Sequence, residues 1–274
     1  LYWGSNHQSG TTSDTAWIKE QNTVKLKVPG SLTYQAVTSV QTDFHNSVRL
    51  AGLNHAGYFC FADITSLINI SNANGTYTVA DIVAPVGFNS CGGGWTIAIA
   101  YSNTTDSQRN ITIFDGSAVV KVGSPNLFVP ISGFLTPPSG PVSCELGVVA
   151  YDGDRGAGLS DNFYFKEDSN PLIGVYTNLT PNATSNLNDM FNSSISNKGV
   201  IPGPALRNPA HNNTLGYDAD IIEIPNAGNL LLNNSRSSAS IRLSSTVEDF
   251  FVQVITTSIS IYNPTFAFNK SATD

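Results

Sequence analysis

Three segments in the middle of the chain decide the predicted fold: residues 76–82 read TYTVADI, residues 92–101 read GGGWTIAIAY and residues 109–116 read RNITIFDG. The first and third alternate side chains with a period of two, which is typical of a half-buried β-strand. The second is a nearly continuous apolar run of strand length, which predicts a buried central strand. We therefore predict that the three segments are neighbouring strands in the middle of one sheet.

The sequence on either side of this region continues the strand pattern. Residues 24–28 alternate and stop at Pro29-Gly30, and residues 32–38 alternate again, which predicts a β-hairpin across the turn. Residues 171–209 are rich in Asn, Ser, Pro and Gly, which predicts long loops. Further strands are predicted at residues 144–151, 217–224, 238–245 and 250–262. The fold class is therefore predicted to be all-β, with an antiparallel β-sandwich architecture.

The number of strands fits two packed sandwich or jelly-roll-like domains, or one large sandwich with Greek-key connections. A turn cluster at residues 123–125 is the candidate boundary. We favour two domains, with one β-sandwich at residues 1–124 and a second at residues 125–265. Residues 266–274 are then a linker or the start of a following repeat domain.

Composition and charge exclude several classes of partner. Only 12% of the residues are charged, and the formal net charge is −7. Neutralising phosphates requires clustered Lys and Arg, so nucleic acid and anionic membrane surfaces are not expected partners. The sequence has no apolar run of about 18 residues, which predicts no membrane-spanning helix. Abundant Asn, Ser and Thr are typical of extracellular β-proteins, so we predict an extracellular, cell-surface location.

An acidic turn at the end of one predicted strand is the candidate metal site. Asp152 and Asp154 flank Gly153, and Asp161 follows a few residues later. Spaced carboxylates in a flexible loop suit calcium, which takes six to eight oxygen ligands in irregular geometry. The pattern is not that of an EF-hand. The alternative is a solvated turn in which Asp152 bonds to local backbone amides and Arg155 offsets the charge.

A second acidic pair, Asp218 and Asp220, lies on one side of its predicted strand, because residues two apart point the same way. Such a pair could be a glycosidase dyad, but side-by-side carboxylates are more often a cation site or a turn. The sequence contains neither HExxH nor GxSxG. We therefore predict that the chain is not an enzyme and name no catalytic residue.

Three cysteines, Cys60, Cys91 and Cys144, allow at most one disulfide within the chain. Cys60 and Cys91 flank one hairpin-like region and are the better pair. The alternative is that all three are small buried apolar residues.

Aromatic side chains beside polar loops could stack on sugar rings, or they could complete the core with one polar edge in water. The aromatic residues considered for these roles are Tyr2, Trp3, Trp17, Phe44, Tyr58 and Phe88.

Several motifs follow one another over nearly the whole chain. They are ADIT at 62–65, NGTYTV at 74–79, GGW at 93–95 with its apolar run, RNITIFDG at 109–116, ISGFLTPPSGP at 131–141, LGVVAYDGDRG at 146–156 and LGYDADI at 215–221. This order resembles a domain of unknown function found in large, adhesin-like surface proteins of bacteria and archaea. In those proteins the domain precedes immunoglobulin-like repeats, whose first strand is similar to residues 268–274, FNKSATD.

The resemblance implies a location and an architecture rather than a reaction. Together with the composition, it favours a non-enzymatic module of an exported gliding or biofilm adhesin that presents loops to a polysaccharide or a surface. Neighbouring repeat domains of the same protein would be its partners. The alternatives are a structural stalk, filament or envelope-layer domain without its own ligand, and a carbohydrate-active enzyme.

Overall fold

The computed structural model describes residues 1–9, 21–48, 54–84, 92–155, 161–170, 174–181, 188–203 and 206–264. Within these ranges the chain forms sixteen β-strands and no α-helix, with short 3₁₀ turns at Thr65–Leu67, Ile70–Asn72 and Ala227–Asn229. The described part of the chain therefore contains no helix that could cross a bilayer. The predicted all-β fold class is confirmed.

The first seven strands form two antiparallel sheets. Sheet I has the order β3-β2-β6, with β2 at Thr23–Lys27, β3 at Gln35–Thr38 and β6 at Thr78–Ala80. Sheet II has the order β4-β5-β1-β7, with β1 at Tyr2–Ser9, β4 at Gln41–Val48, β5 at Asn54–Phe61 and β7 at Gly92–Thr96. The hairpin predicted across Pro29-Gly30 is confirmed, since β2 pairs antiparallel with β3 from Thr23 opposite Thr38.

The remaining strands form two larger sheets. Sheet III has the order β13-β14-β10-β16-β8, with β8 at Arg109–Val120, β10 at Cys144–Tyr151, β13 at Ile195–Asn197, β14 at Tyr217–Glu223 and β16 at Phe250–Ser260. Sheet IV has the order β12-β11-β15-β9, with β9 at Leu127–Ser132, β11 at Asn162–Glu167, β12 at Thr177–Leu179 and β15 at Ser238–Ser244. Only the β13–β14 pair is parallel among the described strand pairs.

The four sheets stack in numerical order around three apolar cores. Strand β1 shows how this works, because alternate side chains of a strand point to opposite faces. Trp3 is fully buried against sheet I with Val24 and Leu26. Tyr2 points the other way and packs with Tyr151 of sheet III. Both faces of β1 are therefore covered, which makes it an interior strand.

The third and largest core lies between sheets III and IV. It includes Val148 and Ile255 from sheet III and Phe163, Phe165 and Ile241 from sheet IV. Alternation again explains the arrangement, since β15 directs Ala239, Ile241 and Leu243 into this core. Ser240 and Arg242 point to the opposite face, where Ser240 is still buried. Sheets III and IV thus form a β-sandwich.

Buried polar contacts fix sheet II against sheet III. The Gln253 side chain donates from Nε2 to the carbonyl oxygens of Trp3 at 3.1 Å and Cys60 at 2.9 Å. Its Oε1 accepts from the Tyr151 hydroxyl at 2.8 Å. Gln253 lies where the register of β16 shifts between Val252 and Val254, and this irregularity turns its side chain towards sheet II.

The three central segments do not form one sheet, and this prediction is wrong. Strands β6, β7 and β8 lie in sheets I, II and III respectively. The apolar run gives a strand only as far as Thr96, and β7 is an edge strand of sheet II rather than a central one. Beyond it, Ile99 and Tyr101 are 67% and 73% exposed. Periodicity identified strands, but long-range pairing decided their partners.

Strands β1 to β7 belong to sheets I and II, and strands β8 to β16 belong to sheets III and IV. The boundary between these two groups of strands lies between β7 and β8, because β8 pairs along its length with β16. It therefore precedes residue 124, where the turn cluster suggested a boundary. The division into domains at 1–124 and 125–265 stays a prediction, and residues 266–274 lie outside the described residues.

Candidate metal centre

Loops at one end of sheets III and IV bury five carboxylates. They are Asp161, Asp189, Asp218, Asp220 and Glu248, with relative exposures of 1%, 5%, 0%, 2% and 5%. We call these five residues the acidic cluster. Charged side chains are seldom fully buried without a partner, so the cluster requires a physical explanation.

Asp161 and Asp189 are brought together by backbone pairing. Asp161 precedes β11 and forms an isolated parallel bridge with Asp189. Its carbonyl accepts from the Met190 N–H, and its side-chain Oδ1 accepts from the Phe191 N–H at 3.0 Å. Phe191 is itself fully buried, with its ring centroid 4.7 Å from that of Phe250. The carboxylates therefore lie beside an apolar core and away from bulk water.

Glu248 comes from the turn between β15 and β16. Its backbone is held by Ser245, whose Oγ donates to the Glu248 carbonyl and accepts from the Glu248 N–H. The Glu248 carboxyl group is in direct contact with those of Asp161 and Asp154. Asp154 is exposed and lies at the solvent-facing rim of the acidic cluster.

Asp218 and Asp220 extend from β14 on the same side of the strand. Asp218 Oδ1 accepts from the Ser194 N–H at 2.9 Å, and Asp220 Oδ1 accepts from Ser196 Oγ at 2.5 Å. Gly153 makes room for the first of these carboxylates, because a Cβ at that position would lie 2.2 Å from Asp218 Oδ2. A glycine is thus required between the two aspartates of the predicted metal-binding turn.

Each carboxylate of the acidic cluster has one oxygen that no donor satisfies. These atoms are Asp161 Oδ2, Asp189 Oδ1, Asp218 Oδ2, Asp220 Oδ2 and Glu248 Oε1. A buried oxygen without a donor costs free energy comparable to a lost hydrogen bond, and more when it is charged. Five such atoms in one region need either protons or a cation.

Burial is the main cause of the altered acidity in the cluster. It raises the pKa of Asp161 to about 7, against the opposing effect of the Phe191 N–H and with a smaller contribution from the Asp189 charge. Burial, then the charges of Asp161 and Asp154, raise the pKa of Glu248 to about 9. The pKa of Asp220 is raised by burial to about 7, although Ser196 opposes the effect.

The pKa values of the other two carboxylates are shifted in the same direction. Burial, followed by the Asp220 charge, raises the pKa of Asp218 well above its ordinary value. Burial and then the Asp154 charge raise the pKa of Asp189. The acidic cluster therefore favours bound protons near neutral pH.

No lysine or arginine among the described residues pairs with these five carboxylates. The ion pairs of that part of the chain are Lys25–Asp81, Lys198–Glu145 and Arg236–Glu167, all at other sites. Arg155, expected to offset the charge of the acidic turn, donates instead to the Asn212 carbonyl at 3.1 Å. Within the described ranges, no Lys or Arg neutralises the cluster.

A hard divalent cation is the other species that can satisfy these oxygens. Calcium accepts carboxylate, carbonyl and water oxygens in irregular geometry. Across the described ranges, no three Asp, Glu, His or Cys side chains are grouped as a metal requires. Direct ligation therefore needs carboxylates to rotate or waters to bridge, and contact between Glu248 and Asp161 places two such groups together.

The structure brings two of the three predicted metal ligands to the same carboxyl group and keeps the third apart. Asp154 and Asp161 both reach Glu248. Asp152 is buried in the turn, with a φ of 75° and its N–H donating to the Gly216 carbonyl at 2.7 Å. Sequence analysis did not find Asp189 or Glu248. Neither is part of an acidic motif with the others, because they join the cluster only through loop packing.

The Asp218–Asp220 pair was also considered as a glycosidase dyad. Both side chains point to the same side of β14, as predicted, but they are 0% and 2% exposed. A polysaccharide chain cannot contact carboxylates that are buried to this extent. The pair therefore belongs to the buried acidic cluster.

The cysteine prediction is only partly covered by the described residues. Cys60 and Cys144 are buried thiols, and Cys60 Sγ lies 3.4 Å from Thr42 Oγ1. Burial raises the pKa of Cys144 to about 12. Cys91 lies outside the described residues, so the Cys60–Cys91 disulfide stays a prediction.

Of the aromatic residues considered as sugar platforms, Tyr2, Trp3 and Tyr58 are buried in the cores. Phe44 is 51% exposed. Trp17 and Phe88 lie outside the described residues. The three buried residues therefore agree with the alternative prediction, in which an aromatic side chain completes the core.

A groove of about 890 Å³ lies along the face of sheet III that points away from sheet IV. Its walls include several large apolar side chains that are at least 38% exposed: Ile99, Tyr101, Ile111, Ile113 and Ile221. Part of the apolar run that sequence analysis assigned to a buried strand therefore lines an open surface.

Comparison with known proteins adds little to this geometry. No protein-family model and no curated protein sequence matches the chain. Among solved structures, the VP2 subviral particle of infectious bursal disease virus is 10% identical and aligns over 94% of this chain with a TM-score of 0.26. The match spans 56% of the VP2 chain. A similarity this low supports no conclusion about fold or function.

Proposed function

We propose that this chain is a non-enzymatic, calcium-binding module of an exported cell-surface adhesin of the gliding or biofilm type. Calcium bound at the acidic cluster would fasten the loops around residues 154, 161, 189 and 248 to the sandwich of sheets III and IV. The module would then present loops to a polysaccharide or a surface, next to repeat domains of the same protein.

The single observation that carries the proposal is the set of five buried carboxylates with unpartnered oxygens, which no Lys or Arg of the described residues pairs with. Extracellular calcium is abundant, and weak extracellular sites bind it with dissociation constants of about 10⁻⁴–10⁻³ M. The low share of charged residues, 12%, and the surface-protein resemblance support an exported location.

Thermal unfolding with calcium and with a chelator tests the proposal. A cation that binds only the folded chain stabilises it by about 2.7 kcal/mol at a hundredfold excess over the dissociation constant. We expect the midpoint to rise with calcium and to fall after chelation. An unchanged midpoint, together with no heat of binding in calorimetry, would contradict the calcium site.

Matched variants assign the effect to the acidic cluster. Asp161→Asn keeps the acceptor for the Phe191 N–H but removes the charge, so the calcium-dependent shift should disappear. Asp106→Asn makes the same charge change at an exposed position and should retain the shift. If both variants kept the shift, calcium would bind elsewhere.

A structural stalk or envelope-layer domain is the second candidate, and the apolar groove on sheet III favours it. Exposed apolar patches of this kind often mark contacts between proteins. Light scattering separates the two candidates, since a structural module should self-associate at micromolar concentration without ligand. A monomer under these conditions would favour the adhesin.

A further inference from the structure

We propose that the outer face of sheet IV, centred on Arg242, binds a polysaccharide that carries carboxylate groups. This inference rests on the proposed surface role and names its partner. The site is separate from the acidic cluster. None of its aromatic residues is among those that the sequence analysis considered for sugar binding.

The strand register places the key side chains in one row. Arg242 on β15 lies opposite Tyr164 on β11 and opposite Phe128 on β9. Adjacent strands are about 4.8 Å apart, so the row crosses roughly 10 Å of the sheet. Ile241 and Leu243 point into the core, and Arg242 therefore faces outward.

Aromatic rings hold the guanidinium in place. Arg242 Cζ lies 3.9 Å from the ring centroid of Tyr164 and 4.6 Å from that of Tyr176. Phe128 borders the same group, with its centroid 6.2 Å from that of Tyr176. The Tyr176 hydroxyl and Ser240 Oγ are 2.9 Å apart, which fixes the second ring. The positive charge is thus preorganised on a rigid sheet.

The rings engage the faces of the guanidinium but leave its N–H groups unused. Within the described residues Arg242 forms no ion pair, and its buried Nε has no hydrogen-bond partner. A planar guanidinium matches a carboxylate with two parallel hydrogen bonds. The terminal N–H groups of Arg242, rather than the buried Nε, are therefore the ones open to an anion from outside the chain.

Two further features narrow the ligand to an acidic sugar. Tyr164 and Tyr176 are half-buried and Phe128 is 37% exposed, so part of their ring surface can contact the apolar face of a sugar ring. Ser240 lies on the same face but is buried and bonded to the Tyr176 hydroxyl, so the exposed ring surfaces would make the contact with the sugar. The net charge of −7 repels polyanions in general, so recognition depends on this local site.

Native affinity electrophoresis tests the inference with polygalacturonate, neutral dextran or a single-stranded DNA in the gel. A chelator is present throughout, so calcium cannot bridge protein and polymer carboxylates. We expect polygalacturonate alone to retard the wild-type chain. Equal retardation by dextran or DNA, or none by polygalacturonate, would overturn the inference.

Variants locate the site. Arg242→Gln should weaken retardation at least tenfold, because it removes a charge-assisted pair. Lys25→Gln makes the same charge change at an exposed ion pair on sheet I and should leave retardation unchanged. Arg242→Lys keeps the positive charge but lacks the planar guanidinium that makes two parallel hydrogen bonds. It should also lose most of the retardation, and it decides the matter if the glutamine variant does not fold.

The two proposals fail separately. Loss of polygalacturonate binding with an intact calcium-dependent midpoint would overturn the sheet IV site alone. Retained polygalacturonate binding without any calcium effect would overturn the acidic cluster as a cation site and leave the sheet IV site in place. If the Arg242→Gln variant bound polygalacturonate as tightly as the wild-type chain, Arg242 would serve only to pack against the aromatic rings.

Discussion

The Asp161 carboxylate accepts a hydrogen bond from the Phe191 N–H at 3.0 Å through Oδ1, while its Oδ2 is buried without a partner. One half of the group is therefore fixed by the fold, and the other half is available to a proton or a cation. The same division holds for Asp218 and Asp220, each held through one oxygen by a serine.

Asp161→Asn should stabilise the chain in the presence of chelator at pH 8, by about 1–2 kcal/mol. The amide of the variant stays neutral at this pH, whereas the native Asp161 carboxyl, with a pKa of about 7, becomes a buried charge. Urea unfolding measures the change. Exposed Asp106→Asn is the control, and a destabilised Asp161→Asn under these conditions would contradict the charge argument.

Stability without calcium should fall as the pH rises from about 5 to 9. The pKa values of Asp161 and Asp220 are about 7 in the folded chain, and that of Glu248 is about 9. Unfolded carboxyls titrate near pH 4, so the folded chain binds more protons over this range and loses stability as they leave. Calcium should offset the loss.

Glu248→Gln isolates the upper part of this pH dependence. Without the Glu248 carboxyl, the fall of the midpoint between about pH 7 and 9, measured in chelator, should become smaller, and Asp218, whose pKa burial also raises, should account for the slope that remains. Glu223→Gln, on an exposed position of β14, is the control and should retain the wild-type slope. Identical slopes in both variants would assign the titration to other residues.

Gln253→Leu should destabilise the chain by about 3 kcal/mol. The variant removes the hydrogen bonds of Gln253 to the Trp3 and Cys60 carbonyls and to the Tyr151 hydroxyl, which keeps only its 3.5 Å contact with the Gly94 carbonyl. A buried polar group that loses its partner costs about 1–3 kcal/mol. Urea unfolding measures the difference. Gln35→Leu, at an exposed site on β3, should cost far less.

Gly94→Ala should destabilise the chain by about 1–3 kcal/mol, as overpacking does. A Cβ at this position would lie 2.3 Å from the Tyr217 ring, which packs across β7 and donates to the Trp95 carbonyl at 2.9 Å. Gly93→Ala is the matched control, because its Cβ would come no closer than 3.4 Å to another atom. Equal costs at the two positions would show that strand propensity, not the ring contact, sets the effect.

Much of the local structure could be predicted from the sequence. Alternation identified β2, β3 and β8, and the Pro29-Gly30 turn placed the first hairpin correctly. These features depend on neighbouring residues, whose spacing the chain itself fixes. The prediction that the apolar run after Gly94 forms a buried central strand was wrong for a related reason. Apolar character alone does not distinguish a buried strand from the wall of an open groove.

The candidate sites needed long-range information. Asp154 and Asp161 were found because they lie a few residues apart after one predicted strand, but Asp189 and Glu248 come from separate segments and join them only through tertiary packing. Arg242, Tyr164 and Tyr176 likewise meet only through the β11–β15 pairing and the chain before β12. No local motif encodes either group.

The sequence by itself determined the all-β class, the positions of many strands and the acidic turn after β10, since these follow from side-chain period and turn residues. The tertiary structure alone decided which strands share a sheet, which aromatic residues are buried and which carboxylates are buried together. Those outcomes depend on contacts between residues far apart in the chain, which the packing of four sheets brings together.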